Sequence, residues 1–359
     1  MILTDNRHKY EVIIYGAGYC GLMFSDLLLE NGIKPYCFFD KDENKTGQSF
    51  NESKIVIPQP IPNHMNDLVI VCILNTNLFH EIINFLQKLG YKNVISIFDL
   101  CDDSKLFKNQ PLIFYIPKNW YLSNYDCIKS VRSLLEDNLS KTTYDKVIDF
   151  VCGNNYAGIP ACSMKEQYFA YDVYKKVPDE VFLDCGAFRG DILRYFIENN
   201  SSFLHYFAIE PDPQNYTRIE IMPQTNDKRV SVIKYAISDK KEFLKVRNFL
   251  NENSVISING DTVVPALTLD DICEKYEIDP TFIKIDVEGY ERQLILGAIN
   301  TFSCSNVIAV AIYHKPDDLW ELPLILHRML PDHKLYIRSY LNINETILYV
   351  VPSERCVKQ

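Results

Sequence analysis

Short runs of β-branched and aromatic residues mark the first hundred positions: EVIIYG, PYCFFD, KIVIP, DLVIVCIL and NVISIF. Between them lie helix-like stretches, one after Gly21 and one reading NLFHEIINFLQKLG. Strand-length apolar runs that alternate with amphipathic stretches predict βαβ units around a parallel sheet. From about residue 105 the pattern changes to an aromatic-rich stretch and then SVRSLLEDNLSKTTYDKVIDFVCGN. There Val131, Leu134, Leu135 and Leu139 fall on helical spacing, which predicts a helical connector packed on the C-terminal half of the chain.

The βαβ rhythm returns at VFLDCG (181–186), followed by a helix near 190–199, HYFAIEP (205–211), a helix near 213–222 and VSVIKYAIS (230–238). Residues 240–265 read as irregular, with room for a hairpin. Then come the helix LDDICEKY, the strand FIKIDV, the helix GYERQLILGAIN, the strand VIAVAIY (307–313) and the helix DLWELPLILHRML (318–330). The last two strands, KLYIRSY and ETILYVV, are close in sequence and predict an antiparallel pair at the sheet edge. The expected fold class is α/β: a Rossmann-like domain over 1–105, a helical connector over 106–175 and a second Rossmann-like domain over 176–359.

Composition agrees with this division. At roughly 100–200 residues per domain, 359 residues suggest two domains, and 47% hydrophobic with 23% charged residues fits folded cores. A formal net charge of −10 leaves no global basic surface, so no nucleic-acid partner is expected. No run approaches 18 apolar residues and the N-terminus lacks a signal-peptide layout, which predicts a cytoplasmic chain without membrane insertion. The 11 cysteines form no CxxC pair and read as small core residues such as Cys72 and Cys185, in place of a disulfide framework or zinc site. The sequence leaves homo-oligomerisation open.

Ligands of open α/β sheets sit beyond the carboxyl ends of the strands. Three such exits in the second half carry carboxylates: Asp184 in VFLDCGAFRGD, Glu210 in AIEPD and Asp286 in IKIDVEG. Gly186 and Gly190 flank the turn after Asp184, where a missing side chain lets backbone N–H groups approach a ligand. Glu210 ends the next strand and is placed to accept hydrogen bonds from both hydroxyls of a ribose. Asp286 would be costly in a dry position unless paired or bound. Lys284, two residues back on the same strand face, is its expected structural partner. Glu288 reads as a helix cap and Glu291 as a solvated, dipole-favoured acid of the first turn.

The blocks DCGAFRGD, AIEPD, AISD (236–239), TLDD (268–271) and above all IKIDVEGYERQLILGA resemble the FkbM-type methyltransferases, which transfer methyl from S-adenosylmethionine to a hydroxyl of sugars or polyketide products. Upstream, LLEDNLSKTTYDKV and EQYF, and downstream, YHKPDDLWELP, are similar to one branch of that family. The likeness covers roughly residues 130–350. It implies a seven-stranded class I methyltransferase sheet, S-adenosylmethionine as cofactor, and a sugar hydroxyl of a surface glycan or its precursor as substrate. It also implies that Asp184, Gly186, Ala187 and Gly190 line the methionine and ribose side, that Ala236 and Ile237 border the adenine, and that Asp286 faces the reaction centre.

An aliphatic hydroxyl needs a positioned base to become a nucleophile, worth about 10²–10⁴ in rate. Asp286 and His314 are the candidates, since His314 leaves the strand VIAVAIY at its carboxyl end, next to that of Asp286. The plainer reading of His314 is a hydrogen-bonded loop residue. A hard cation held by Asp286 with Glu288 or His314 would serve the same chemistry, but no ligand spacing demands one and no metal is assigned.

In the first half, VIIYGAGYCG holds Gly16, Gly18 and Gly21 in GxGxxG order between a strand and a helix, and Asp40 ends the next strand. That context admits a dinucleotide or nucleotide-sugar site, or a glycine turn kept for packing. The segment resembles the small Rossmann-like N-terminal domain of acetyltransferases that act on nucleotide sugars. An NAD-dependent oxidoreductase, or a protein that only binds a nucleotide sugar through this domain, is the alternative to methyl transfer.

Overall fold

The computed structural model describes residues 11–73, 78–100, 118–152, 159–249, 253–257, 260–303, 306–340 and 345–357. The chain divides into two compact units, one drawn from Met1–Tyr121, Val151–Tyr156 and Phe249–Asn253 and the other from Leu122–Phe150, Ala157–Asn248 and Ser254–Gln359.

The first unit carries strands β1 (Val12–Tyr15), β2 (Cys37–Phe39), β3 (Ser49–Phe50), β4 (Ser53–Val56), β5 (Leu68–Val71) and β6 (Asn93–Ser96), with helices α1 (Tyr19–Glu30) and α2 (Phe79–Lys88). Its sheet has the order β3-β4-β2-β1-β5-β6 and is parallel apart from the β3–β4 pair. The runs VIIY and LVIV are buried at every position, as expected of strands covered on both faces. Helix α1 starts two residues before Gly21 and takes that glycine inside. A Cβ there would lie 1.9 Å from the carbonyl oxygen of Gly16, so the glycine lets helix and strand pack closely.

The start of the expected connector, 106–117, lies outside the described residues. Beyond it, helices α3 (Lys118–Ser123), α4 (Tyr125–Leu134) and α5 (Asn138–Val151) lead into the second unit. The single helical rhythm read across 131–139 is broken. Leu135 forms a β-bridge with Leu335, and Asp137 starts α5 by accepting a hydrogen bond from Ser140 N at 2.6 Å. A short carboxylate side chain that binds backbone N–H groups competes with helix continuation, which the apolar spacing alone does not report.

The second unit is built on β7 (Val181–Cys185), β8 (His205–Ile209), β9 (Val230–Ile233), β10 (Ala236–Ile237), β11 (Glu242–Phe249), β12 (Asn253–Ile256), β13 (Thr262–Leu267), β14 (Phe282–Ile285), β15 (Val307–Ala311), β16 (Lys334–Ser339) and β17 (Thr346–Val351). Its helices are α6 (Asp191–Asn199), α7 (Pro213–Glu220), α8 (Leu269–Tyr276), α9 (Glu291–Leu296) and α10 (Asp318–Met329). Seven strands form one sheet of order β16-β17-β15-β14-β7-β8-β9, in which β17 alone runs against its neighbours. The antiparallel edge pair and the adjacency of β14 to β15 are as the sequence predicted.

Residues 240–265 are more regular than expected. β10 to β13 make a separate sheet of order β10-β13-β11-β12, whose inner face is Ala236, Leu244, Val246, Val264 and Ala266. The outward positions Phe243 and Val263 are 77% and 61% exposed. Apolar residues on the solvent face hide the alternation that would have marked these strands.

Phe182 stacks between Phe282 and Tyr206, its register partners on either side, at ring-centroid distances of 4.7 and 5.0 Å. Each such pair adds about 0.5–1.5 kcal/mol beyond burial and holds β14, β7 and β8 in step. The three carboxylate-bearing exits are thereby aligned.

Arg338 on β16 is buried and pairs with Asp137 at 2.6 Å and with Asp172 at 2.7 Å, while its guanidinium also donates to Ser140 Oγ at 2.9 Å. Asp137→Ala strips the buried partner and is expected to cost about 3 kcal/mol, the lower end for such a deletion because Asp172 remains. Asp172, whose side chain is 57% exposed, should cost less than about 1 kcal/mol on the same substitution. Urea midpoints of the two variants test the difference; equal losses would refute it.

Candidate active site

At the carboxyl end of β7 the backbone turns at Gly186, whose φ is +83°, and its carbonyl oxygen accepts from Lys284 Nζ at 2.6 Å. The N–H groups of Gly186 and Ala187 both donate to Ile209 O at 3.0 Å. Phe188 comes next at φ +49°, and Gly190, at φ +81°, caps the N-terminus of α6. Two glycines and one strained non-glycine position thus shape a tight loop, the kind of backbone that persists where the surroundings enforce it.

Glu210, at the exit of β8, reaches back to this loop. Its Oε2 accepts from Phe188 N at 2.8 Å, and its Oε1 accepts from Asp212 N at 3.0 Å. Burial pushes its pKa up to about 7, against these N–H donors, which favour the anion. Asn215 Nδ2 donates a third, longer bond to Oε1 at 3.4 Å. A carboxylate has about four lone-pair positions, so one remains for a further donor. Ala236 and Ile237, on β10, are buried.

Asp184 and Lys284 face each other across β7 and β14 as register partners. Their charged groups lie 2.9 Å apart and are almost fully buried, and Tyr206 Oη donates to the other oxygen of Asp184 at 2.5 Å. Lys284 is therefore the partner of Asp184, which corrects its expected pairing with Asp286. The reason is geometric: residues directly opposite on adjacent strands are neighbours, whereas Asp286 lies past the last residue of β14.

Asp286 accepts from Tyr168 Oη at 2.7 Å through Oδ2. Its Oδ1 lies 3.4 Å from Nε2 of His314, and Oε2 of Glu288 lies 3.5 Å from the same nitrogen. On its other side, His314 Nδ1 is 2.8 Å from Oε1 of Glu291, an oxygen that also accepts from Val287 N at 2.9 Å and Gly289 N at 3.2 Å. Glu291 therefore takes the capping part expected of Glu288, in place of its own expected part as a solvated acid. Glu291 is wholly buried, binds the free N–H groups ahead of α9 and holds the histidine, while Glu288, at φ +51°, is turned toward His314. The register of one residue in a left-handed conformation decides which carboxylate points where, and sequence spacing does not report it.

Electrostatics follow from this crowding. Burial opposes charge on His314, but Glu291, Glu288 and Asp286 outweigh it and hold the imidazole well above its usual range. Burial would raise Glu291 as well, yet His314 and the backbone donors keep it below the ordinary carboxylate value. Glu288 is pushed up to about 8 by burial and by neighbouring carboxylates, against the pull of His314. Glu345, held by Tyr313 Oη and Gln167 Nε2, is pushed up to about 7 by burial and then by Asp286. The field at Nε2 favours positive charge.

Sequence reasoning missed Tyr168 and Glu345. Tyr168 stands in EQYF, 118 residues before Asp286, so only the resemblance carried by that motif pointed to it. The metal-free expectation also meets a geometric fact: ligand-type atoms of Asp286, Glu288 and His314 all lie within 4.8 Å of one another.

In the first unit, Gly16 turns at φ +104° and Gly18 precedes α1. Asp40 Oδ2 accepts from Ala17 N at 2.8 Å and lies 3.8 Å from Lys45 Nζ. Gly16, Gly18, Gly21 and Asp40 come together around one loop, with the carboxylate bonded to the loop itself. Cys72 and Cys185 are buried, and no disulfide joins the described cysteines. Among the described residues no helix is long and apolar enough to cross a membrane.

Residues 184–341 match the family model of the methyltransferase FkbM domain. A hexuronic acid methyltransferase, AglP, from Haloferax volcanii is 25% identical over 117 residues, 32% of this chain. The match spans about half of that relative, 49% of its length. The crystal structure of methyltransferase FkbM from Methylobacillus flagellatus KT superposes with a TM-score of 0.68 at 18% identity, covering 95% of this chain and 89% of that one, and shares the fold.

Proposed function

We propose that the chain is an S-adenosylmethionine-dependent O-methyltransferase that acts on a hydroxyl of a sugar, in the building of a surface glycan or its nucleotide-linked precursor. The observation that carries this reading is the joining of two sites at adjacent strand ends: a glycine loop bonded to the buried Glu210, and beside it Asp286 with His314. The match of residues 184–341 to the FkbM domain supports methyl transfer, and the name of the Haloferax relative supports a sugar acceptor.

In this reading the loop 186–190 and Glu210 hold the cofactor, with the ribose donating to Glu210 at the position that Phe188 N, Asp212 N and Asn215 Nδ2 leave open. Ala187 and Asp184 support the loop, and Ala236 and Ile237 border the adenine. Transfer is an in-line displacement: the acceptor oxygen bonds to the methyl carbon as the carbon–sulfur bond breaks and its electrons neutralise the sulfonium. Aligning the three atoms supplies on the order of 7–11 kcal/mol of the barrier. The acceptor proton must leave in the same step, and Asp286 and His314 stand where it would be handled.

Calorimetry with S-adenosylhomocysteine and with NAD tests the reading. Binding of the first, lost in Glu210→Ala, is the expected outcome. Binding of NAD alone, sensitive to Asp40→Ala, would replace it with an oxidoreductase or nucleotide-sugar-binding protein centred on Gly16, Gly18, Gly21 and Asp40. The pH dependence adds a second readout. Ribose donors favour ionised Glu210, so affinity should fall by up to about tenfold per pH unit below 7, and Glu210→Gln should flatten the profile. Without ligand the sign reverses: burial favours the protonated acid, so its contribution to stability is full below the ordinary 4.5 and is lost as pH rises through about 7.

A further inference from the structure

We propose that Asp286, Glu288 and His314 form a divalent-cation site, with Oδ1, Oε2 and Nε2 as ligand atoms and Glu291 fixing the histidine.

The distances fit one ion. Two atoms bound at about 2.1 Å with an angle between octahedral and tetrahedral stand about 3.0–3.4 Å apart. Nε2 lies 3.4 Å from Oδ1 and 3.5 Å from Oε2, and the three atoms lie within 4.8 Å of one another. A contraction of at most a few tenths of an ångström brings both separations from Nε2 into that range.

The histidine supplies the independent sign. Its ring is 2% exposed, yet Nε2 has no hydrogen-bond partner, and neither does Oδ1 of Asp286, which faces it. An orphaned buried polar atom costs about 1–3 kcal/mol, so two orphans converging on one point indicate a missing third party. Nδ1, meanwhile, is held by Glu291 at 2.8 Å, the carboxylate–histidine arrangement that fixes the tautomer with Nε2 turned toward a metal. Tyr168 does the corresponding service for Asp286 by occupying Oδ2, which leaves Oδ1 to the ion.

The donor set selects the metal class. Two carboxylates and one imidazole suit a hard to borderline ion such as Mn²⁺, and three protein ligands leave positions open. The Asp286 and Glu288 side chains are 21% and 26% exposed, so those positions face outward from the buried imidazole. Resting on the methyltransferase reading, an acceptor hydroxyl bound at an open position is acidified by the ion. Its proton passes to water, its oxygen takes the methyl carbon, and the carbon–sulfur bond electrons return to sulfur.

The test is Mn²⁺ titration of the whole chain after chelator treatment, reading free Mn²⁺ by electron paramagnetic resonance, with S-adenosylhomocysteine calorimetry in parallel. One Mn²⁺ per chain should bind saturably. Glu288→Ala, at a partly exposed position that keeps the fold intact, and His314→Gln should each weaken it at least about tenfold, and Glu291→Gln by about 10–100-fold. No saturable Mn²⁺ in a chain that binds S-adenosylhomocysteine would overturn the site and leave the methyltransferase reading standing. Equal Mn²⁺ affinity in Glu288→Ala and His314→Gln would overturn it too. Mn²⁺ bound with no S-adenosylhomocysteine affinity would keep the cation site and remove the methyltransferase.

Discussion

Asp286→Asn and His314→Ala are each expected to keep the affinity for S-adenosylhomocysteine while lowering methyl transfer by at least about 10². The separation follows from the fold. The groups proposed to hold the cofactor lie on the β7 loop and at the exit of β8, and Glu210 keeps its bonds to Phe188 N and Asp212 N in both variants. Asp286 contributes to that region only through its backbone, whose N–H donates to Cys185 O at 3.0 Å and is untouched by the change to Asn. Tyr168 Oη finds an amide oxygen in place of the carboxylate, so the local packing survives. What disappears is the charge facing Nε2 of His314. In His314→Ala, Glu291 retains the N–H groups of Val287 and Gly289, so α9 keeps its start, at a cost of about 1–3 kcal/mol for the lost donor. Single-turnover rates with a sugar acceptor, alongside calorimetry, check the result. Normal turnover in both variants would remove Asp286 and His314 from the chemistry, whether they act on the proton directly or through a cation.

The parts of this molecule that were legible in the sequence are those governed by local periodicity or by strand ends. FIKI, VIAVA and VFLDC are buried at every position, and their alternation with helices marks a parallel sheet, while its seven-stranded form was implied by the family resemblance. Asp286 and His314 were readable because each follows closely on an apolar strand, and adjacent parallel strands bring their exits together. The remainder depended on directions that periodicity does not encode. Lys284 pairs across strands with Asp184, a relation of register between positions far apart in the chain. Glu291 takes the capping part expected of Glu288, which sits at positive φ and turns toward His314 instead. Tyr168 and Glu345 reach the site from segments far from IKIDVEG in sequence. The small sheet β10 to β13 was hidden by Phe243 and Val263 on its outer face. Its misreading and that of the glutamates share a cause: an apolar or charged residue was assigned to core or solvent by type, while backbone geometry placed it otherwise.

Gly186→Ala is expected to damage stability and both ends of the site together. The residue has φ +83°, and a Cβ there would lie 1.8 Å from the backbone carbonyl oxygen of Asp286. The left-handed conformation alone costs an L-residue roughly 1–2 kcal/mol. The clash adds about 1–3 kcal/mol, because the obstacle is backbone and cannot rotate away. Together they exceed the roughly 0.4–1 kcal/mol that Gly→Ala returns by restricting the unfolded chain. Relief requires either the β7 loop or the β14 exit to move. The first breaks the paired donation of Gly186 and Ala187 to Ile209 O; the second displaces Asp286 from Tyr168 and His314. Cofactor affinity and turnover should therefore fall together, unlike in Asp286→Asn, where they part. Gly47 provides the control: its φ is +84°, yet nothing lies within 4 Å of where its Cβ would stand, so Gly47→Ala bears the backbone cost alone. Urea midpoints for the two alanine variants, with calorimetry for each, decide the matter. Equal stability losses, with cofactor affinity intact in Gly186→Ala, would show that the loop tolerates displacement and that the coupling between the β7 and β14 exits does not exist.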